Sequence, residues 1–193
     1  MLEVAFSPVL KVASAYASVA NALNVGTLKK LGLIKEGTFQ FQETLGSAEK
    51  FNRRLDAGTN VPFLFHVFAS ANLTGFLDPT NEEYFLSWKI DKGSYVTLPG
   101  LAENEPITRG TIKLTPLKYV EYFFEFIAHD GKKYYYRGIK NLRSVHAVKA
   151  WATLTGSLHN HETEVKILES QVFSNQDPSI SGLIPFLRSL RIW

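Results

Sequence analysis

Between Tyr119 and Leu142 two long runs of alternating residues flank Asp130-Gly131, a pattern that leaves this stretch little choice but a β-hairpin. Asp-Gly is a strong two-residue turn signal because both central positions of a type I′ turn take positive φ. In that turn His129 faces Lys132, and the pairing runs outward from there. Glu121 then opposes Lys140 as an exterior charge pair. The other face gathers Tyr122, Phe124 and Phe126 with Tyr135, Arg137 and Ile139, which puts one guanidinium among apolar side chains. A three-residue loop with a bulge shifts the register by one and sends Arg137 to the opposite face. The sequence leaves both registers open.

The same period of two recurs along the chain. Phe39, Phe41 and Leu45 alternate with Thr38, Gln40 and Gln42. Phe63, Phe65, Val67 and Ala69 alternate with Leu64, His66, Phe68 and Ser70, so that the run from Phe63 to Asn72 is apolar on nearly both faces. Tyr84, Leu86, Trp88 and Ile90 follow the same rule, and shorter strands are expected around Arg109–Leu114, Val148–Leu158 and Glu164–Phe173. Turn signals separate them at Asp78-Pro79, Pro99-Gly100, Glu105-Pro106, Thr115-Pro116 and Asp177-Pro178. Strands spaced in this way, without helical crossovers, predict an all-β sandwich or barrel. The 14 Phe, 8 Tyr and 3 Trp among 193 residues suit half-buried pleated surfaces.

The expected fold is therefore mostly β: a single antiparallel β-barrel, lipocalin-like or related, over residues 37–193. A helical segment over 1–36 precedes it. Ser7-Pro8 suits a helix start, and Val9, Val12, Ala13, Tyr16, Val19, Ala20 and Leu23 fall on one helical face before Gly26. That helix is read as a plug packed on the barrel end or as a lid over it. The last segment, Ile184–Trp193, either closes the barrel or docks a partner.

Several function classes lose support. The formal charge is only +3, and basic residues are scattered apart from pairs such as Lys29-Lys30, Arg53-Arg54 and Lys132-Lys133. Nucleic-acid binders concentrate such residues in a patch, so no nucleic-acid partner is expected. There is no cysteine, which removes disulfides and thiolate chemistry. Glu3 and Lys11 spoil a secretory signal, and no stretch approaches the roughly 18 apolar residues of a membrane-spanning helix. A soluble, cytoplasmic chain is expected, with homodimerisation open. His159 and His161 form an HxH pair beside Glu162 and Glu164, but the surrounding Ser157–Glu164 segment reads as a polar hairpin tip, and no metal is assigned. No G-x-S-x-G elbow, phosphate-binding loop or dinucleotide fingerprint occurs, and no cofactor is assigned.

Charges on apolar faces are the informative exceptions. Glu43 shares the parity of Phe39, Phe41 and Leu45, and Arg137 shares that of the hairpin aromatics in the first register. Buried charge is costly unless paired. Glu43 and Arg137 either meet as a structural pair, orient the polar end of an apolar ligand, or serve as catalytic groups whose ionisation an apolar cavity shifts. Phe41, Phe65, Trp88, Tyr122, Phe124, Phe126 and Tyr135 form either the packed core of a small barrel or the wall of a ligand cavity.

The order Phe41-Gln42-Glu43-Thr44-Leu45-Gly46, Gly110-Thr111-Ile112, Tyr122-Phe123-Phe124-Glu125-Phe126, Asp130-Gly131-Lys132, Gly138-Ile139-Lys140 and Trp151-Ala152-Thr153-Leu154 resembles a known domain. It is similar to the accessory β-rich domain found beside cholesterol-oxidase-like flavoenzymes of the glucose-methanol-choline group, and in some lipase-like proteins. The likeness covers about residues 39–190. It implies a lipocalin-like barrel associated with sterol, lipid or terpenoid metabolism; the flavin fingerprint of the main enzyme is missing, so its oxidoreductase activity does not transfer. The leading expectation is a barrel that binds an apolar small molecule: a lipid, sterol, terpenoid or polyketide. The alternative is a cofactor-independent cyclase or isomerase acting on such a substrate.

Overall fold

Alternating sequences make strands whose apolar sides must share one interior, and an antiparallel meander does this with short connections. The computed structural model describes residues 38–72, 86–115, 118–142, 151–177 and 191–192; the helix expected over 1–36 lies outside them. The strands are β1 (Thr38–Ser47), β2 (Asn52–Arg54), β3 (Thr59–Asn60), β4 (Phe63–Asn72), β5 (Leu86–Ile90), β6 (Tyr95–Leu98), β7 (Ala102–Thr115), β8 (Tyr119–Ile127), β9 (Lys133–Asn141), β10 (Thr153–Asn160), β11 (Lys166–Ser174) and β12 (Arg191–Ile192).

The strands form a closed, eight-membered antiparallel barrel. Its staves run β1, β4, β5 with β6, β7, β8, β9, β10 and β11. The ring closes where Leu45 and Gly46 of β1 pair with Ser174 and Phe173 of β11. Strands β5 and β6 share one stave, since both pair with β4 and β7. Ser94 repairs the gap between them: its hydroxyl accepts from the Phe68 N–H at 2.9 Å and donates to the Asp91 carbonyl at 2.7 Å. The β2–β3 hairpin extends the lower edge of β11, and β12 pairs with the first residues of β1. No helix among the described residues is long and apolar enough to cross a membrane.

Pro106, expected at a turn, instead lies within β7 opposite Tyr95. Proline costs one ladder hydrogen bond and is tolerated at irregular pairings. Here the register shifts just beyond it, and the neighbouring Ile107 N–H donates to the Ser94 carbonyl at 2.9 Å.

The Asp130-Gly131 hairpin takes the bulged register. Gly131 has φ +76°, whereas Asp130 is not in the positive-φ region. The Ala128 N–H donates to the Lys132 carbonyl at 3.0 Å, and the Gly131 N–H to the Ala128 carbonyl at 2.9 Å. His129-Asp130-Gly131 is thus a three-residue loop ending in a glycine bulge. The Asp130 carboxylate holds it, accepting from the Lys132 N–H at 3.0 Å and from the Tyr134 hydroxyl at 2.8 Å. Glu121 consequently opposes Ile139, and Val120 opposes Lys140. Tyr134, Tyr136, Gly138 and Lys140 face inward. Tyr135, Arg137 and Ile139, placed inside by the two-residue turn, face outward, because one added loop residue inverts every side chain of β9.

The middle of the barrel is filled by rings. Tyr136 is fully buried, with its ring 5.5 Å from Phe63, 5.4 Å from Phe65 and 5.1 Å from Phe124, centroid to centroid. It fits because its neighbours are glycines: a Cβ on Gly138 would lie 2.9 Å from the Tyr136 hydroxyl, and one on Gly156 would collide with that hydroxyl and with the Arg137 carbonyl. The hydroxyl then reaches Ser170 Oγ at 3.0 Å. Substituting Gly156→Ala is expected to destabilise the protein by about 1–3 kcal/mol, as overpacking does. Urea unfolding checks this, and an unchanged midpoint contradicts the placement of Tyr136 across Gly156.

Candidate functional site

Glu43 lies between Phe41 and Leu45 on the inward face of β1, so its carboxylate enters the barrel. Three strands bring partners to it. Lys140 of β9 donates from Nζ to Oε1 at 2.6 Å, Tyr122 of β8 donates its hydroxyl to Oε2 at 2.6 Å, and Ser174 of β11 donates to Oε1 at 2.5 Å. The Lys140 ammonium also lies 3.4 Å from Ser174 Oγ and 5.3 Å from the centre of the Tyr122 ring. Glu43 and Lys140 are each only 3% exposed.

The cluster sits toward the end of the barrel where β1, β8 and β10 begin and β9 and β11 end. Phe41 packs edge-on against Trp88 at 5.3 Å there, with Ala69 and Ala71 buried on the adjacent strand β4. At the opposite end Asn52 is buried. Its side-chain amide donates to the carbonyls of Ala48 and Val61, both at 3.2 Å, and to Ser47 Oγ at 2.9 Å.

Of the aromatics singled out in the sequence, Phe41, Phe65, Trp88, Tyr122, Phe124 and Phe126 are buried inside the barrel. Tyr135 lies on the outer face. Arg137 does too, with its guanidinium 5.7 Å from the Phe123 ring and 5.9 Å from the Tyr135 ring. Arg137 therefore does not pair with Glu43; Lys140 does. Lys140 was legible only through the bulged register, which sets it at the parity of Tyr134 and Tyr136. Ser174 carried no signal of its own, since barrel closure alone brings it beside β1. Both histidines of the HxH pair pack on Tyr135, His159 stacked and His161 edge-on, and His161 Nε2 also lies 3.6 Å from Glu125 Oε1. No three potential metal ligands converge among the described residues.

Electrostatics follow from burial. Loss of water lowers the Lys140 ammonium below the usual lysine range, while the Glu43 charge pulls the other way. Burial, reinforced by that carboxylate, raises the Tyr122 hydroxyl well above the ordinary phenol range. Burial raises Tyr136 as well. A folded pKa above the unfolded one gives stability that is complete below the unfolded value and is lost as pH rises beyond it. Lys140 acts in the opposite sense, but two buried phenols outweigh one amine. The free energy of unfolding is accordingly expected to fall above about pH 10, the ordinary phenol value. The Tyr136→Phe variant should show a shallower decline in pH-dependent denaturation.

Removing one member of a buried ion pair leaves an uncompensated charge and costs about 3–5 kcal/mol, whereas replacing both with apolar groups is often neutral. Glu43→Leu and Lys140→Met are each expected to be strongly destabilising, and the double variant less so than the sum. Chemical denaturation of the three proteins measures this coupling, and strict additivity contradicts it.

No family model, curated protein or solved structure matches this chain.

Proposed function

We propose that the barrel binds an apolar small molecule of lipid, sterol, terpenoid or polyketide type, with its polar end at the Glu43–Lys140 cluster. The observation that carries this reading is a buried carboxylate and three buried donors gathered toward one end of a largely apolar interior. Ligand sites are mostly apolar with a few placed polar groups. An incoming carbonyl or hydroxyl would meet the Lys140 ammonium as donor and Glu43 as acceptor, with Phe41 and Trp88 flanking the apolar part, while the Tyr122 hydroxyl, whose one proton goes to Glu43, orients the carboxylate. The rings around Tyr136 fill the barrel centre, so the ligand belongs to the cluster end, beside Ala69 and Ala71. The resemblance to a sterol- and lipid-associated accessory domain, and with it a lipocalin-like architecture, favours the same ligand class.

A second reading rests on the same carboxylate. Glu43 accepts from both a phenol and an ammonium in a water-poor site, an arrangement suited to moving a proton in a cofactor-independent cyclisation or isomerisation. Unchanged turnover of a candidate substrate by Glu43→Gln would exclude it.

Native mass spectrometry of the freshly purified protein is expected to show a co-purified apolar ligand, and Ala69→Phe, which fills the cluster end, is expected to lose it. A ligand-free spectrum, together with no change in tryptophan fluorescence on adding fatty acids, sterols or terpenoids, would overturn the binding reading.

A further inference from the structure

A second group of reactive side chains lies on the outside of the barrel. Ser157 and His159 are two residues apart on β10 and so project to the same side. Ser157 Oγ is 2.9 Å from His159 Nε2, and His159 Nδ1 is 3.4 Å from the backbone carbonyl oxygen of Glu164. The tautomer with the proton on Nδ1 satisfies both contacts, since the carbonyl can only accept and the Ser157 hydroxyl can donate to Nε2. This is the tautomer a base needs to take a proton from a hydroxyl nucleophile, with a third group orienting the ring. The imidazole is held further by Tyr135, stacked on it at 5.0 Å with planes 5° apart. The Tyr135 hydroxyl is in turn bonded to the Glu164 carboxylate at 2.5 Å.

The surroundings supply space and positive charge. Ser157 opens onto a groove of about 630 Å³ between β10–β11 and the Lys50–Arg53 segment, lined also by Thr155, Lys166 and Gln171. Glu169 is the cross-strand neighbour of both Ser157 and Arg53; it engages Lys166 at 2.7 Å and also feels the Arg53 charge, so that Lys50, Arg53 and Lys166 outnumber the groove's one carboxylate. On the other side, Arg137 is the direct cross-strand neighbour of Ser157. Its guanidinium rests against rings rather than a carboxylate, so it is placed to meet negative charge forming near Ser157.

We propose that this is an acyl-transfer site, independent of the barrel interior, that takes carboxylic esters carrying a negative charge. Ser157 Oγ attacks the ester carbonyl while His159 Nε2 takes its proton. The bond to the leaving alcohol then breaks, and that oxygen receives the proton from His159. Water, deprotonated by the same nitrogen, attacks the acyl-serine and releases the carboxylic acid, returning the proton to Ser157. Arg137 faces the oxyanion, and Arg53 and Lys50 face the charged part of the substrate.

The test is acetyl transfer from p-nitrophenyl acetate, a neutral ester, and from acetylsalicylate, an anionic one, to the full chain, with peptide mass spectrometry locating the acetyl group. The expected result is acetylation of Ser157 and hydrolysis faster than the buffer rate, abolished in Ser157→Ala and slowed about 10²-fold or more in His159→Gln. Both substitutions are at the surface, and unchanged unfolding midpoints verify that the variants fold. The anionic ester is expected to show the larger acceleration over its buffer rate, an advantage that Arg53→Gln removes. Acetyl groups on lysines but not on Ser157, or a rate unaffected by Ser157→Ala or His159→Gln, overturn the acyl-transfer site. Equal acceleration of the two esters overturns the anionic substrate class.

Discussion

Withdrawing a carboxylate and an ammonium from water costs several kcal/mol per ion, and the cost is recovered only when geometry and further hydrogen bonds are good. The Glu43–Lys140 pair meets that condition through four strands at once: β1 and β9 supply the charges, while β8 and β11 supply Tyr122 and Ser174. Each ladder between those strands must therefore be in register for the carboxylate to be satisfied. The closure of β11 onto β1 is part of the same condition, because Ser174 reaches Glu43 only where Leu45 and Ser174 pair. A slip of one residue in the β8–β9 hairpin would turn Lys140 outward and leave Glu43 without its counter-charge. The pair thus makes alternative strand pairings expensive as well as holding the native one.

The interior divides into two regions of different character. Its centre is a set of interlocking rings around Tyr136, admitted by glycines at 138 and 156 on adjacent strands. Eight-stranded barrels are just wide enough for side chains to fill or for one small ligand to enter, and here the rings take the central share. The buried charges lie toward the end that holds Glu43, beside the small residues Ala69 and Ala71. The outer face has a separate chemistry, in which Tyr135, His159 and Arg137 stack across β9 and β10.

Much of the barrel could be read from alternation. The limits of β4 match the expected Phe63–Asn72 strand, and the inward parity of Phe41, Glu43 and Leu45 follows from simple period two. Strand β6 was not legible, because Tyr95–Leu98 offers only four residues of pattern. Pro106 misled for a physical reason: proline marks turns, yet it is also tolerated where a ladder is already irregular. The site was half legible. Glu43 stood out as a charge on an apolar face, but its partner depended on whether Asp130-Gly131 made a two- or a three-residue loop. Both loops accept that dipeptide, and sequence alone does not separate them. His159 stood out only as half of an HxH pair, and its link to Ser157 was not legible because a serine and a histidine two apart on a strand form no recognised nucleophile motif. Only the folded structure brings the Glu164 carbonyl to the imidazole, where it favours a proton on Nδ1.

Lysine reactivity in the folded protein tests the Glu43–Lys140 register most directly. Brief acetylation with N-hydroxysuccinimidyl acetate, followed by peptide mapping, compares Lys140 with the exposed Lys132 at the hairpin loop. Lys140, buried and bound to Glu43, should remain unmodified long after Lys132 has reacted, and should become reactive only on unfolding. Equal modification of Lys132 and Lys140 in the folded state would mean that Lys140 faces solvent, and the ion pair at the barrel's end would not exist.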